Sequence, residues 1–258
     1  VTALVAAQLR ERRRSLLSWG LPLGLWSAFI VAIFPSIESV LSKAVGNYPQ
    51  GLKEAFGIGE LATVEQYLHA EMLSLIMPLA VGYLAVRSIA SALSGAAESG
   101  RLDVLLSAPV SRRRVAAAGF LATAAEVAAV LAVTLAFTML GSALSGAGLA
   151  FGAALAGIAN VWPLALLAAA LGIVVSGFSL RTSVVTGSVA GMLVAMYVLD
   201  LVGRLDPGLS GLRYASVFKY YGNAIEDGID PVAFCGVTVA AAALAAIGAW
   251  LFDRRDLS

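Results

Sequence analysis

Apolar residues along this chain gather into six runs of about 20 residues, set apart by shorter polar or glycine- and proline-punctuated stretches. The runs lie near Ser15 to Pro35, Ala70 to Leu93, Val115 to Leu144, Ala150 to Phe178, Val184 to Val202 and Pro231 to Phe252. As a helix, a run of that length covers a hydrocarbon core of about 30 Å, so each predicts a membrane-spanning helix. The ten-residue alternation of a membrane barrel is absent. The pattern predicts an all-α integral membrane protein with six transmembrane helices in a single domain over residues 1–258.

The intervening stretches predict smaller elements. In residues 1–14, Leu4, Val5 and Leu9 stand against Gln8, Arg10, Glu11 and Arg12, the pattern of an amphipathic elbow helix along the inner membrane surface. The basic "RERRR" before an apolar run superficially matches a secretory signal. That run is too long for such a signal and lacks a small-x-small cleavage site, which predicts a retained span. Residues 36–69 form an outer loop in which glycines and prolines punctuate short helical patterns. The connections "SGAG" and "SLRTS" are so short that the spans they join must be antiparallel neighbours. Residues 203–230 are too polar to span and carry Tyr214, Phe218, Tyr220 and Tyr221, which predicts short helices at the outer headgroup level.

Composition sharpens this picture. Of 258 residues, 60% are hydrophobic and 13% charged, whereas soluble domains carry about 25% charged residues. The net charge of +1 hides an asymmetry. Arg10, Arg12, Arg13, Arg14, Arg101, Arg112, Arg113, Arg114, Arg181, Arg254 and Arg255 fall at the termini and in the even-numbered connections. Lys43, Lys53, Arg204, Arg213 and Lys219 fall on the other side with most of the acids. The positive-inside rule therefore predicts a multi-pass protein of the cell membrane with both termini cytoplasmic, as six spans require. The sole cysteine, Cys235, excludes a disulfide within the chain and is assigned to helix packing. The sole histidine, His69, has no second histidine with which to share a metal and is assigned to the membrane interface. No metal site and no nucleic-acid partner are expected.

The loop over residues 94–114, between the second and third spans, carries the most distinctive chemistry. Leu102, Leu105 and Leu106 recur at i, i+3 and i+4, one apolar face about a turn long, and Pro109 ends the pattern. Glu98 and Arg101 are spaced to pair on that turn, and Arg112 to Arg114 sit where lipid phosphates are met. A loop needing only solubility has no reason to show three leucines to water, so the face predicts a protein partner.

Other candidates lie within the spans. Glu126, counted from the start of the third span, falls near the membrane midplane, and Arg87 lies in the inner half of the second. Side chains lean toward the N-terminus of their helix, so these two lean toward each other. Their alternatives are a structural pair or internal hydrogen bond, a cavity-facing group that senses substrate or a proton, or other contacts. Gly187 and Gly191 make a G-x-x-x-G pattern that suits close packing, within the chain or at a subunit interface. Asp200 and Arg204 are an i, i+4 pair. "GLSG", Gly208 to Gly211, matches an intramembrane protease motif, but its serine lacks a nearby base, since His69 lies beside another span. No nucleotide site is expected: Lys43, Lys53 and Lys219 are the only lysines, and none follows the glycines of a P-loop.

The stretch "ESGRLDVLLSAPVSR", Glu98 to Arg112, resembles the coupling segment of the six-span permeases of ABC-2 type exporters, closest to those annotated for drugs or antibiotics. The resemblance extends to the basic elbow, the large first outer loop, the aromatic segment after the fifth span and the terminal "FDRRDL"; one departure is Ser216-Val217-Phe218, where many relatives have Ser-Pro-Phe. It implies two six-span units, identical or related, forming a pathway above two separate ATPase subunits. Leu102, Leu105 and Leu106 would fill a groove on the ATPase, with Glu98, Arg101 and Asp103 orienting the contact. ATP and Mg2+ would be bound by that ATPase, and the chain would bind no cofactor itself. The cargo would be hydrophobic or amphipathic, such as a drug, antibiotic or lipid. An ATP-independent transporter or scramblase is the alternative, although Pro22, Pro78 and Pro163 lack the paired pattern of broken helices. A non-transporting assembly subunit is a third reading.

Overall fold

The computed structural model describes residues 5, 8, 9, 12–46, 63–98 and 111–254. Among these there is no strand. The long helices are α1 (Arg13–Gly46), α3 (Ile76–Glu98), α4 (Arg112–Ser145), the pair α5 (Phe151–Ala159) and α6 (Val161–Ser176), α7 (Thr182–Leu205) and α10 (Pro231–Asp253). With α5 and α6 taken together they make six spans long and apolar enough to cross a membrane. The short elements are α2 (Val64–Leu68), α8 (Val217–Tyr221) and α9 (Ala224–Asp227). A π-helical turn (His69–Leu73) and a 3-10 helix (Pro207–Ala215) complete the order.

The fourth span is the hub, with 72% of its apolar stretch inside the molecule against 22% and 17% for the fifth and sixth. Apolarity alone does not set this, since an apolar face can equally meet lipid and the sixth span has the same mean hydropathy; close approach of its neighbours does. Leu164, Ala165, Ala168, Ala169 and Ile173 are all buried. Alanines and glycines let α3 and α10 approach: a Cβ on Gly172 would stand 2.6 Å from Ile89 Cγ2, and one on Gly248 would stand 2.8 Å from the Val174 amide nitrogen. The span is broken at Asn160 because Pro163 has no amide to donate to the Ala159 carbonyl. Asn160 turns the break to use, donating its side-chain amide to the Tyr221 carbonyl at 2.6 Å.

α1 and α4 run side by side in the same direction: Gly20 meets Val133, Gly24 meets Phe137 and Gly141 meets Ala28. Each is 34 residues long, about 51 Å, well beyond a bilayer core of about 30 Å. In α1 the apolar stretch able to cross a membrane ends at Glu38, close to the expected Pro35, while the helix itself continues to Gly46. Proline removes one hydrogen bond, and the following "SIESVLSKAV" is otherwise able to propagate a helix. The short elements between α7 and α10 agree with the prediction of short helices. Ser216 caps α8 by accepting from the Phe218 amide at 3.1 Å and donates to the Met196 carbonyl at 2.6 Å. Val217 thus sits at the first helical position, where an amide has no partner within the helix and proline would serve equally.

Candidate functional site

Of the predicted coupling face, Arg101, Leu102, Asp103, Leu105, Leu106 and Pro109 lie outside the described residues; the two helices that present it do not. α3 ends at Glu98, whose carboxylate reaches the start of α7, taking the Thr182 hydroxyl at 2.6 Å and the Thr182 amide at 3.2 Å. The Thr182 amide belongs to the first turn of α7, where no carbonyl within the helix can accept, and a carboxylate there also complements the helix dipole. One turn earlier, Ser94 is buried and donates to the Ser176 hydroxyl at 3.2 Å and the Ser179 carbonyl at 3.4 Å.

On the other flank α4 begins at Arg112, and Arg113 pairs with Asp253 at the end of α10 at 2.8 Å. Arg113 is 54% exposed, so this pair is worth no more than about 1 kcal/mol. Both flanks of residues 99–110 are therefore tied to other spans at exposed positions, the first with two hydrogen bonds to a helix terminus and the second through an ion pair.

Above these ties lies a buried charge network. Arg12 Nη1 donates to Glu126 Oε2 at 2.9 Å and to the Thr123 hydroxyl at 2.8 Å. Its Nη2 donates to the Ser88 carbonyl at 3.3 Å and to Gln8 at 3.4 Å. Glu126 is 1% exposed, and its Oε1 has no hydrogen-bond partner among the described residues. The carboxylate is thus neutralised by the segment before α1 and not by Arg87. It stands level with the start of α1, because α4 is longer than a bilayer is thick and counting from Arg112 does not measure depth. Arg87 is exposed on a stripe of α3 with Tyr83 and Ser91, with no hydrogen bond or ion pair to the described residues.

Gly187 and Gly191 lie on the outward face of α7 with no atom within 4 Å of where a Cβ would be, so packing among the described residues does not use them. Cys235 is likewise exposed, which corrects its assignment to packing. At the far end of α7 the predicted Asp200–Arg204 pair is present at 2.6 Å and gains a partner the sequence did not suggest, Arg213, at 2.9 Å. Asp200 is buried, so two guanidiniums from α7 and the 3-10 helix converge on one carboxylate. His69 is buried too, and burial pushes its pKa below the ordinary value of 6.5, aided by Arg204 and opposed by Glu226 and Asp227. Tyr221 donates to the Leu73 carbonyl at 3.0 Å, and burial raises its pKa strongly. No group of three or more metal-ligating side chains occurs among the described residues. Ser210 of "GLSG" is exposed, while His69 is buried in the π-helical turn.

Thr182, Arg12 and Arg213 are the partners that sequence reading missed. Spacing within one element reveals i, i+4 pairs, whereas these three act across more than ten residues.

Two comparisons bear on identity. The model of the family described as multidrug efflux system permease Rv1217c, C-terminal domain, matches residues 2–253. Among curated proteins no match is found.

Proposed function

Because the chain belongs to the family of the Rv1217c multidrug efflux permease C-terminal domain, we propose that it is the membrane half of an ABC-2 type exporter driven by separate ATPase subunits. Two such six-span units, identical or related, enclose the pathway. Each hands residues 99–110 to an ATPase on the cytoplasmic side, where Leu102, Leu105 and Leu106 fill a groove and Arg101 and Asp103 orient the contact. ATP and Mg2+ are bound by the ATPase. Closure of the ATPase pair moves the segment and, with it, α3 and α4, switching the pathway between its inward- and outward-open forms.

The observation that carries this reading is the treatment of the two flanks: Glu98 and Arg113 are each fastened to the end of another span. A leucine-faced segment held on a braced base can pass force into the bundle, which a merely solvated loop has no need to do. The open face around Gly187 and Gly191 suits close approach of the second unit. Spans poor in charge suit a hydrophobic or amphipathic cargo.

The test is ethidium accumulation in cells expressing the chain with the ATPase encoded beside it, the chain alone, or the chain with an ATPase unable to hydrolyse ATP. Lower accumulation only with the active pair is expected. An equal reduction by the chain alone would move the ATP-independent reading to the front.

A further inference from the structure

We infer that Glu98 is a transmission pin: through Thr182 it delivers movement of the 99–110 segment to α7, and its carboxylate serves this contact within the chain instead of orienting the ATPase. The inference rests on the exporter reading above and assigns a positioning role that the reading lacks.

Three observations converge on it. Both oxygens of the carboxylate are engaged, one on a hydroxyl and one on a backbone amide of the same residue. A hydrogen bond to an ionised acceptor is about twice as strong as a neutral one, and the amide it takes would otherwise be left to solvent. The side chain is therefore held by α7 at the last residue of α3, where the segment begins.

The second observation is how α7 is mounted. It is among the least buried spans, and its inward face, Val185, Val189 and Leu193, packs on α3 and α6 through Val86, Ala90, Leu164 and Ala168. Gly82 makes room for Leu193, whose Cδ1 lies 2.8 Å from where a Cβ would be. α3 and α7 thus share a continuous apolar seam with the pin at one end. Among the described residues, nothing packs at the outward-facing Gly187 and Gly191 of α7.

The third is at the opposite end, where Asp200 fastens α7 to the 3-10 helix through Arg213, and Ser216 fastens α8 to the Met196 carbonyl. A displacement at Thr182 is carried along one 24-residue helix to the segment that closes the other side of the bundle. The other flank, Arg113 with Asp253, is exposed as the Glu98–Thr182 contact is, and it ties the segment to α10 instead of α7.

The experiment uses the full chain bound to the ATPase encoded beside it, with Cys235→Ser as background and spin labels on Ser183→Cys in α7 and Ala117→Cys in α4, both at exposed positions. The distance between labels is read without nucleotide and with ADP–vanadate trapped, so no transport substrate is needed. The unmodified pin is expected to show a nucleotide-dependent shift. Thr182→Val and Glu98→Ala are each expected to abolish the shift while the ATPase stays bound and hydrolyses ATP. Glu98→Gln, which keeps an oxygen for the Thr182 hydroxyl, is expected to restore part of it. Persistence of the full shift in both Thr182→Val and Glu98→Ala would overturn the pin, as would absence of the shift in the unmodified complex. Loss of the ATPase from Glu98→Ala, with Thr182→Val unaffected, would return Glu98 to the docking surface. Failure of the unmodified chain to hold any ATPase would overturn the exporter reading itself, and the pin with it.

Discussion

Arg12 and Glu126 are 114 positions apart and meet at 2.9 Å, joining the segment before α1 to the middle of α4 through a pair whose side chains are 12% and 1% exposed. Removing one member leaves a buried charge uncompensated. Arg12→Ala is expected to destabilise the protein by about 3–5 kcal/mol, whereas replacing both residues with apolar side chains of similar size is expected to be far milder. Thermal unfolding in detergent, followed by helical circular dichroism, separates the two cases. Equal loss in the single and double variants would contradict the account.

Asp200 is buried but its partners Arg204 and Arg213 are about one third exposed, so solvent screens much of their attraction. Arg213→Ala is expected to cost about 1 kcal/mol, less than Arg12→Ala, and to act locally. Limited proteolysis is expected to open the chain between Pro207 and Ala215 faster, while the remaining spans stay protected. Uniform cleavage throughout would show that the contact supports the whole bundle.

His69 gives the elements around it a pH dependence. Its folded pKa lies below 6.5, so on acidification the unfolded chain binds the proton first. Its contribution to stability is complete above the unfolded value and declines as pH falls from there toward the folded value. Denaturation midpoints are expected to fall below about pH 6.5 more steeply for the unmodified chain than for His69→Gln. Parallel curves would remove His69 as the cause.

Two glycines separate close packing from open space. A Cβ on Gly141 would stand 2.6 Å from the Ala28 carbonyl oxygen, so Gly141→Ala is expected to push α1 and α4 apart at a cost of about 1–3 kcal/mol. Gly187→Ala meets nothing and is expected to leave unfolding of the single chain unchanged, or raised by up to about 1 kcal/mol from helix propensity. Melting of the two variants side by side is decisive, and a drop for Gly187→Ala that grows with dilution would reveal the second unit on that face.

How much of this was legible in the sequence follows from the range of each signal. Apolar run length depends on local composition, and the six spans appeared with boundaries close to those found; α1 overran because a proline weakens a helix without always ending it. The Asp200–Arg204 pair was readable from i, i+4 spacing. Arg213, Thr182 and Arg12 were not, because nothing in a single sequence says which distant segments a fold brings together. Glu126 stood out as a charge in an apolar run with its contacts left open, and Arg87, toward which it leans, is not the residue it meets: leaning directions compare two helices as though depth were known, and α4 extends well past the start of α1. Gly187 and Gly191 had the spacing of a packing motif, which records that a close approach is possible without saying to what.

The central claim, that residues 99–110 dock an ATPase, is tested most directly by pull-down of the ATPase encoded beside this chain. Leu105→Asp and Leu106→Asp place a charge on the leucine face, and each is expected to abolish ATPase retention while the permease elutes as a folded, monodisperse species. Retention by both variants equal to that of the unmodified chain, or no retention by the unmodified chain, would contradict the account.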